Sequence, residues 1–168
     1  MRAQAIGTPG ELRGLYLAWS RHGSGRIPWS KVVLPAAQLA RRWTISPTLA
    51  RFIRSSLSKP LGSSDSDPSI YRDSLLQSLF RRGDGSLKGA GDVVEQPDLA
   101  HTLTRIAEDG VGYFYDTLAA TLAAEIQEMG GILTERDIKN YTPNIHQPIQ
   151  TPFMGHQYIG VGGSSSGG

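Results

Sequence analysis

The stretch Asp92–Tyr141, DVVEQPDLAHTLTRIAEDGVGYFYDTLAATLAAEIQEMGGILTERDIKNY, predicts three helices, and residues typical of helix starts and stops lie between them. The first begins at Pro97, a residue that suits the first helical position, and Gly110 ends it. Its apolar residues fall at helical spacing, at Leu99, Leu103, Ile106 and Ala107. This spacing predicts a short helix with one apolar face.

The second helix is predicted from about Val111 to Met129. Apolar residues recur every four positions, at Phe114, Leu118, Leu122 and Ile126, and the stripe is widened by Tyr115, Ala119 and Ala123. Gly130-Gly131 ends it, because glycine takes the left-handed conformation of a helix C-terminus at little cost. The third helix begins with a variant capping box, in which Thr134 and Asp137 satisfy each other's backbone N–H groups.

Several sequence elements occur in the order found in one known family. Within the central stretch they are Gln96-Pro97-Asp98-Leu99-Ala100, Thr102-Leu103, Ile106-Ala107, Gly110, Phe114-Tyr115, Gly130-Gly131-Ile132-Leu133-Thr134, Asp137-Ile138 and Tyr141. Outside it they are Gly7-Thr8-Pro9-Gly10-Glu11-Leu12 with Gly14-Leu15, Pro28-Trp29 with Pro35-Ala36 and Leu39-Ala40, and Ser164-Ser165-Ser166-Gly167-Gly168. This collinear order resembles the large-subunit region of the gamma-glutamyltranspeptidase family, whose members are gamma-glutamyltransferases and glutathione hydrolases. The chain departs from the family pattern at Arg41-Arg42-Trp43-Thr44-Ile45, where Trp43 is predicted to bury in place of a glycine-led turn.

The resemblance implies that residues 1–168 are a partial large-subunit region of a single domain, without its N-terminal part and without the small subunit. The fragment is expected to be mainly α with two short C-terminal strands. In the complete protein these elements would be part of an αββα sandwich of the N-terminal nucleophile hydrolase type. The closing glycine- and serine-rich segment is then expected to lead into further large subunit.

The same resemblance implies the chemistry of the parent protein. Relatives cleave themselves to expose an N-terminal threonine, whose hydroxyl attacks the γ-glutamyl amide of glutathione and whose α-amine serves as the base. Water or an acceptor amine then releases the acyl group. That threonine opens the small subunit in a Thr-Thr-His-type motif, and this tripeptide is absent from the 168 residues.

A second family motif is also absent from the sequence. The arginine that holds the substrate carboxylate in an Arg-Glu-x-Ala-Pro-like context has no counterpart, and Arg2 lacks that context. No catalytic, substrate-binding or metal-binding residue is therefore predicted in this chain, and the fragment itself is expected to be inactive. The expected partners of the complete enzyme are glutathione, other γ-glutamyl compounds and the small subunit from the same precursor. No cofactor is implied, and relatives reside outside the plasma membrane, in the vacuole or in the periplasm.

Composition excludes several other classes of protein. The net charge is only +2, which implies no acidic partner, and the 39% of hydrophobic residues argue against global disorder. There is no cysteine, which excludes disulfide scaffolds and thiolate catalysis. The four histidines, His22, His101, His146 and His156, are scattered, so a metal site is not predicted. The basic residues Arg41, Arg42, Arg51, Arg54 and Lys59 are expected to form a solvated helix face rather than a nucleic-acid or membrane surface.

Before the central stretch, the sequence predicts further helices. Thr8-Pro9-Gly10-Glu11 is a potential capping box for a helix that ends near His22-Gly23, with a buried face of Leu12, Leu15, Tyr16 and Trp19. Gly10 and Gly14 are expected to serve close helix packing. Pro35 is expected to restart a helix, and Ser46-Pro47 to begin another that carries Leu49, Phe52 and Ile53. A mobile loop is predicted at residues 61–68, and Ile70–Phe80 resumes a helical pattern.

Three short motifs carry weaker functional interpretations. Arg82-Gly83-Asp84-Gly85 predicts a tight turn, and its Arg-Gly-Asp tripeptide is interpreted as a chance match to an adhesion motif. Asn140-Tyr141-Thr142 is a glycosylation sequon whose use would require secretion. After Tyr141, alternation predicts two strands, Ile145–Thr151 and Gln157–Val161.

Two alternatives to the transferase interpretation remain open at this stage. The first is a related acylase that acts on cephalosporin-type side chains. The second is a non-catalytic helical protein that kept the scaffold for interactions.

Overall fold

The computed structural model describes residues 3–57 and 78–162. A 3-10 turn, Ala3–Ala5, precedes three helices: α1, Glu11–His22; α2, Trp29–Arg41; and α3, Pro47–Leu57. The second half holds α4, Pro97–Asp109; a π-helix, Tyr113–Thr117; α5, Ala119–Glu128; and α6, Glu135–Lys139. Two antiparallel strand pairs complete the described part: β1, Trp43–Thr44, with β2, Val93–Val94; and β3, Ile149–Phe153, with β4, His156–Gly160.

The packing of α2 against α4 forms the centre of the helical part. Trp29 and Val33 of α2 are buried with Ile106 and Ala107 of α4. The Trp29 indole N–H donates to the Ile106 carbonyl at 3.0 Å, which satisfies its one polar group inside this cluster. The α4 prediction is confirmed at both ends, with Pro97 at the first position and Gly110 in a positive-φ conformation at the end.

Helix α2 contradicts the prediction of a restart at Pro35. The helix runs unbroken from Trp29 to Arg41 and Pro35 lies inside it. The buried face is Trp29, Val33, Ala37 and Ala40, whereas Leu39 is 63% exposed. Proline removes one backbone donor from a helix interior, but the packing of this face against α4 outweighs that local cost.

The single helix predicted from Val111 to Met129 is divided in the structure. The Leu118 N–H donates to the Tyr113 carbonyl at 3.1 Å, five residues back, which produces the π-helix before α5 begins. The extra residue moves the most buried stripe to Tyr115, Ala119, Ala123 and Ile126, while Phe114 and Leu122 are only partly buried. The predicted end is confirmed, since α5 ends at Glu128, Met129 is its C-cap and Gly130 follows with φ 84°.

Of the two predicted capping boxes, one is confirmed and the other is wrong. Thr134 and Asp137 form both bonds of the predicted box at α6. At α1 the N-cap residue is Gly10 without a side-chain bond, so the box predicted at Thr8 is wrong. Helix α1 ends at His22 as predicted, but Leu15 on its expected buried face is 55% exposed. Ser46 accepts the Leu49 N–H at 3.2 Å and caps α3 as expected.

A second core lies beneath β1 and β2, a strand pair that was not predicted. Ile45, Ile53, Leu57 and Val94 are buried together, with Trp43 packed partly buried at the edge. Trp43 pairs with Val94 and Thr44 with Val93. The structure therefore places a strand where the sequence departs from the family pattern. The loop predicted at residues 61–68 and most of the helix predicted at Ile70–Phe80 lie outside the described residues.

The C-terminal hairpin confirms the prediction of two strands, although β3 begins at Ile149 rather than Ile145 and the predicted connection, residues 152–156, is only the two-residue turn Met154-Gly155. Phe153 pairs with His156 across Met154 and Gly155, both of which have positive φ. Every residue from 149 to 159 is exposed. The hairpin thus projects from the helical body without a covering layer in the described part of the chain.

Candidate functional site

The described residues, 3–57 and 78–162, form no cluster of metal-ligating side chains. In those ranges no group of three histidine or acidic residues could hold a metal ion. Within the same ranges, no buried side-chain polar atom lacks a hydrogen-bond partner, so no orphaned polar group points toward a ligand. Across the described helices, none is long and apolar enough to cross a membrane.

One polar cluster joins α1, the π-helix and the end of α6. The Tyr115 side chain is buried, and its hydroxyl donates to the Pro9 carbonyl at 2.8 Å and accepts the Arg13 backbone N–H at 3.2 Å. Burial raises the pKa of the Tyr115 hydroxyl, whereas the Arg13 N–H that it accepts opposes the rise. The hydroxyl therefore stays neutral at physiological pH and acts as a structural bridge.

Arg13 completes this cluster on its solvent side. Its guanidinium lies 4.2 Å from the centre of the Tyr115 ring, a cation–π distance. The same group donates to the Lys139 carbonyl at 3.0 Å and to the Tyr141 carbonyl. Since the guanidinium is engaged by backbone oxygens and a ring, it is not arranged to bind a substrate carboxylate. Sequence reasoning missed Arg13, because a single arginine on a helix has no pattern of its own.

Tyr141 explains why glycine occupies position 10. A side-chain carbon on Gly10 would clash with the Tyr141 hydroxyl and approach its Cε1 atom to 2.8 Å. The close-packing role predicted for Gly10 is therefore confirmed. Gly14 has no atom within 4 Å of the corresponding position, so the same prediction is wrong for Gly14.

Two surface depressions formed by described residues are lined mostly by apolar atoms. The larger, of about 510 Å³, lies where the exposed side of α2 meets the first turns of α4, and its lining includes Leu39, Trp43, Leu99 and Leu103. Its polar groups are few, and the Trp43 indole N–H is already bonded to the Gln96 side chain at 3.3 Å. The smaller one lies beside Pro9, Leu15 and Phe114. Neither depression contains convergent polar groups that would position a γ-glutamyl substrate.

The Arg-Gly-Asp turn forms as predicted, with the Gly85 N–H bonded to the Arg82 carbonyl at 2.9 Å. Both charged side chains are engaged within the loop. Arg82 pairs with Asp92 and donates to the Ser86 hydroxyl, while Asp84 accepts from the Ser86 N–H and hydroxyl. These bonds lower the pKa of Asp84, with the Ser86 hydroxyl as the main cause. Such internal bonding supports the interpretation of the tripeptide as a chance match.

The remaining sequence motifs occupy the surface. Arg41, Arg42, Arg51 and Arg54 are all exposed, as expected for a solvated face, whereas Lys59 lies outside the described residues. Asp98 lies in the first turn of α4 and Asn140 at the end of α6, where both are exposed.

Known proteins match this chain over nearly its whole length. The family described as Gamma-glutamyltranspeptidase matches residues 1–168. Glutathione hydrolase 2 of Arabidopsis thaliana is 37% identical over 166 residues, which are 98% of this chain and 26% of that protein. The glutathione hydrolase proenzyme of Escherichia coli strain K12 is 33% identical over 166 residues, again 98% of this chain and 27% of the relative. The chain thus spans about a quarter of the length of these relatives.

The fold agrees with a solved structure as well. The gamma-glutamyltranspeptidase of Helicobacter pylori matches with a TM-score of 0.81 at 24% identity, over 98% of this chain and 44% of that one. At this identity the likeness concerns the fold alone, whereas the family match extends over every residue of the sequence. The chain belongs to the gamma-glutamyltranspeptidase family.

Proposed function

We propose that this chain is part of the large subunit of a gamma-glutamyltransferase and glutathione hydrolase. The observation that carries the proposal is the family match over residues 1–168, which accompanies a fold that agrees with a solved family member. In the complete protein, glutathione and related γ-glutamyl compounds would be the substrates. The γ-glutamyl group would pass to water, amino acids or peptides.

In this proposal the reactive groups come from outside the 168 residues. A threonine at the start of the small subunit would attack the γ-glutamyl carbonyl, with its α-amine as the proton acceptor, and the amine of the departing peptide would leave. The two depressions described above present no convergent polar groups, as expected of surfaces that belong to a scaffold. The isolated chain would accordingly have no γ-glutamyl transfer activity.

In a scaffold role, the described elements would support the rest of the polypeptide. The α2–α4 pair and the Tyr115 cluster would hold the helical layer in a fixed shape, against which the missing polypeptide folds. The exposed hairpin β3–β4 would enter the sandwich in the complete protein. Its lack of a covering layer in the described chain supports this placement.

Two assays together test the proposal. The purified chain, incubated with a chromogenic γ-glutamyl amide, should release no more chromophore than a heat-denatured sample. The product of the complete reading frame should release glutamate from glutathione and should transfer the γ-glutamyl group to an added dipeptide. Turnover by the isolated chain would contradict the scaffold role, and an inactive, correctly folded complete product would contradict the transferase assignment.

The complete reading frame provides an independent criterion. The proposal requires an in-frame arginine motif upstream and a Thr-Thr-His-type motif downstream. Substituting the threonine of that downstream motif with alanine should leave an uncleaved precursor without activity. A frame that encodes only these 168 residues would favour a non-catalytic interaction protein instead.

A further inference from the structure

The sequence contains two Asp–Gly pairs, Asp84-Gly85 and Asp109-Gly110. An aspartate followed by glycine is chemically labile, because the backbone nitrogen of the glycine can attack the side-chain carboxyl carbon and close a succinimide ring. Glycine has no side chain to hinder this approach, and its backbone reaches conformations that are closed to other residues. Each pair is therefore a candidate site of spontaneous rearrangement of the main chain.

The rearrangement needs no reactant other than water. At the first pair, the Gly85 nitrogen would form a bond to the Asp84 Cγ atom and lose its proton, while one carboxyl oxygen would leave as water. A second water molecule would then open the ring. Opening at the side-chain carbonyl restores aspartate, whereas opening at the backbone carbonyl leaves isoaspartate, in which the main chain runs through Cγ. No atom changes its oxidation state.

The Asp84-Gly85 pair lies in an exposed turn that engages the attacking nitrogen. Both residues are exposed, and no atom lies within 4 Å of the position that a Gly85 side chain would occupy, so steric hindrance is absent there. The Gly85 N–H, however, donates to the Arg82 carbonyl at 2.9 Å. The nitrogen can attack only after this bond breaks, because its proton must leave.

The carboxylate of Asp84 is held as well. Its Oδ1 atom accepts the Ser86 N–H at 2.9 Å and the Ser86 hydroxyl at 2.7 Å. The Ser86 hydroxyl in turn accepts from the Arg82 guanidinium at 3.0 Å, and Arg82 forms an ion pair with Asp92. These bonds lower the pKa of the Asp84 carboxyl, with the Ser86 hydroxyl as the main cause. The ionised carboxylate is a poorer electrophile than the acid, so the same bonds disfavour attack.

The second pair has no partner in common with this turn. Asp109 is the last residue of α4, and its carboxylate accepts from the Arg105 side chain at 2.6 Å. A change at Ser86 therefore reaches Asp84 but not Asp109. The chain thus contains an internal reference for any rearrangement that accompanies general unfolding.

We propose that Asp84 is a site of isoaspartate formation, and that its two bonds to Ser86 hold the reaction back while the turn is closed. Rearrangement would insert one carbon atom into the main chain between Phe80 and Leu87, both of which pack against the second core. The modification would therefore affect the part of the turn that connects to that core. The proposal does not depend on the proposed transferase function.

Peptide mapping of the aged chain tests the proposal, because trypsin places the two sites in separate peptides, residues 83–88 and 106–136. Isoaspartate in each peptide is measured by liquid chromatography with electron-transfer fragmentation, after incubation in native buffer or in concentrated guanidinium. In guanidinium, isoaspartate should accumulate at residue 84, and in native buffer it should accumulate much more slowly. Asp84→Glu identifies the product, since glutamate would need a larger ring that closes far more slowly.

Ser86→Ala removes one of the two restraining bonds and should raise the native rate at residue 84 roughly fivefold, without changing the rate in guanidinium. Ser86→Thr keeps the hydroxyl and should retain the slow native rate. The rate at Asp109 should be the same in all three chains. Absence of isoaspartate at residue 84 in guanidinium would overturn the site. An unchanged native rate in Ser86→Ala, or an equal rise at residues 84 and 109, would overturn the protective role of Ser86.

Discussion

The hydroxyl of Tyr115 donates a hydrogen bond to the carbonyl of Pro9 at 2.8 Å, across 106 positions of sequence. The bond joins the π-helix to the residues that lead into α1, and the Arg13 N–H occupies the same hydroxyl from the other side. Tyr115 is 0% exposed, so both bonds lie in a region where an unpaired group would be costly. One buried phenol therefore contributes two of the bonds that hold α1 in position.

The first prediction concerns this phenol. Tyr115→Phe should keep the ring packing but leave the Pro9 carbonyl without its partner, at a cost of roughly 1–3 kcal/mol in the free energy of unfolding. Urea denaturation followed by circular dichroism measures the change. Tyr113→Phe is the matched control, since it keeps the ring beside which Arg105 lies and should change stability little.

The same residue predicts a dependence of stability on alkaline pH. Burial raises the pKa of Tyr115 in the folded protein, so the unfolded chain loses this proton first as pH increases. The stabilising contribution is therefore complete below about pH 10, the ordinary pKa of tyrosine, and declines as pH rises through the higher folded value. Tyr115→Phe should show a shallower decline above pH 10 than the unmodified chain. Parallel declines would contradict this assignment.

Gly10 and Gly14 provide a matched pair for the second prediction. Gly10→Ala forces Tyr141 to move, and overpacking of this kind should destabilise the chain by roughly 1–3 kcal/mol. Gly14 lies inside α1 with open space around it, so Gly14→Ala should instead stabilise by up to about 1 kcal/mol through helix propensity. Thermal unfolding of the two variants should shift in opposite directions. A gain in stability for Gly10→Ala would refute the role assigned to Tyr141.

The features that could be predicted from the sequence depend on residues that are close together in the chain. The bounds of α4, the glycine end of α5, the Thr134 box and the C-terminal strand pair each follow from local patterns, and the structure confirms them. The mainly helical content was predicted correctly for the same reason, whereas the αββα sandwich of the complete protein stays a prediction. The family resemblance rested on collinear short motifs, several of which are helix beginnings and ends.

The features that sequence reasoning missed depend on contacts between distant segments. Pro35 remains inside α2 because the packing against α4 outweighs a local preference. Trp43 forms a strand only because Val94, fifty-one positions away in the chain, pairs with it. The π-helix makes Tyr115, Ala119 and Ala123 more buried than Phe114, Leu118 and Leu122 within the predicted apolar face, which an ideal helical period cannot anticipate. Arg13 gains its role from Tyr115 and Tyr141, neither of which is near it in the sequence.

The third prediction tests the contact between α2 and α4. Trp29→Phe removes the donor to the Ile106 carbonyl and leaves that buried oxygen unpaired, which should cost roughly 2–4 kcal/mol together with the lost ring volume. Trp19→Phe removes a similar bond to Ile27 at an exposed site and should cost clearly less. Guanidinium denaturation with far-ultraviolet detection compares the two. Equal losses would show that burial at Trp29 does not determine the effect.

The last prediction concerns the box at α6. The Thr134 hydroxyl, and then its backbone N–H, lower the pKa of Asp137 below its ordinary value of 3.8. The carboxylate therefore contributes stability above about pH 4, and this contribution disappears as the pH falls through the lower folded pKa. Thr134→Ala should cost about 1 kcal/mol at pH 7, as for other N-cap residues.

Asp137→Asn should flatten the loss of stability between neutral pH and pH 3, measured by urea unfolding at each pH. Asp92 also has a lowered pKa, so part of the acid sensitivity should remain in that variant. An unchanged acid profile in Asp137→Asn would show that the ionised box does not stabilise α6.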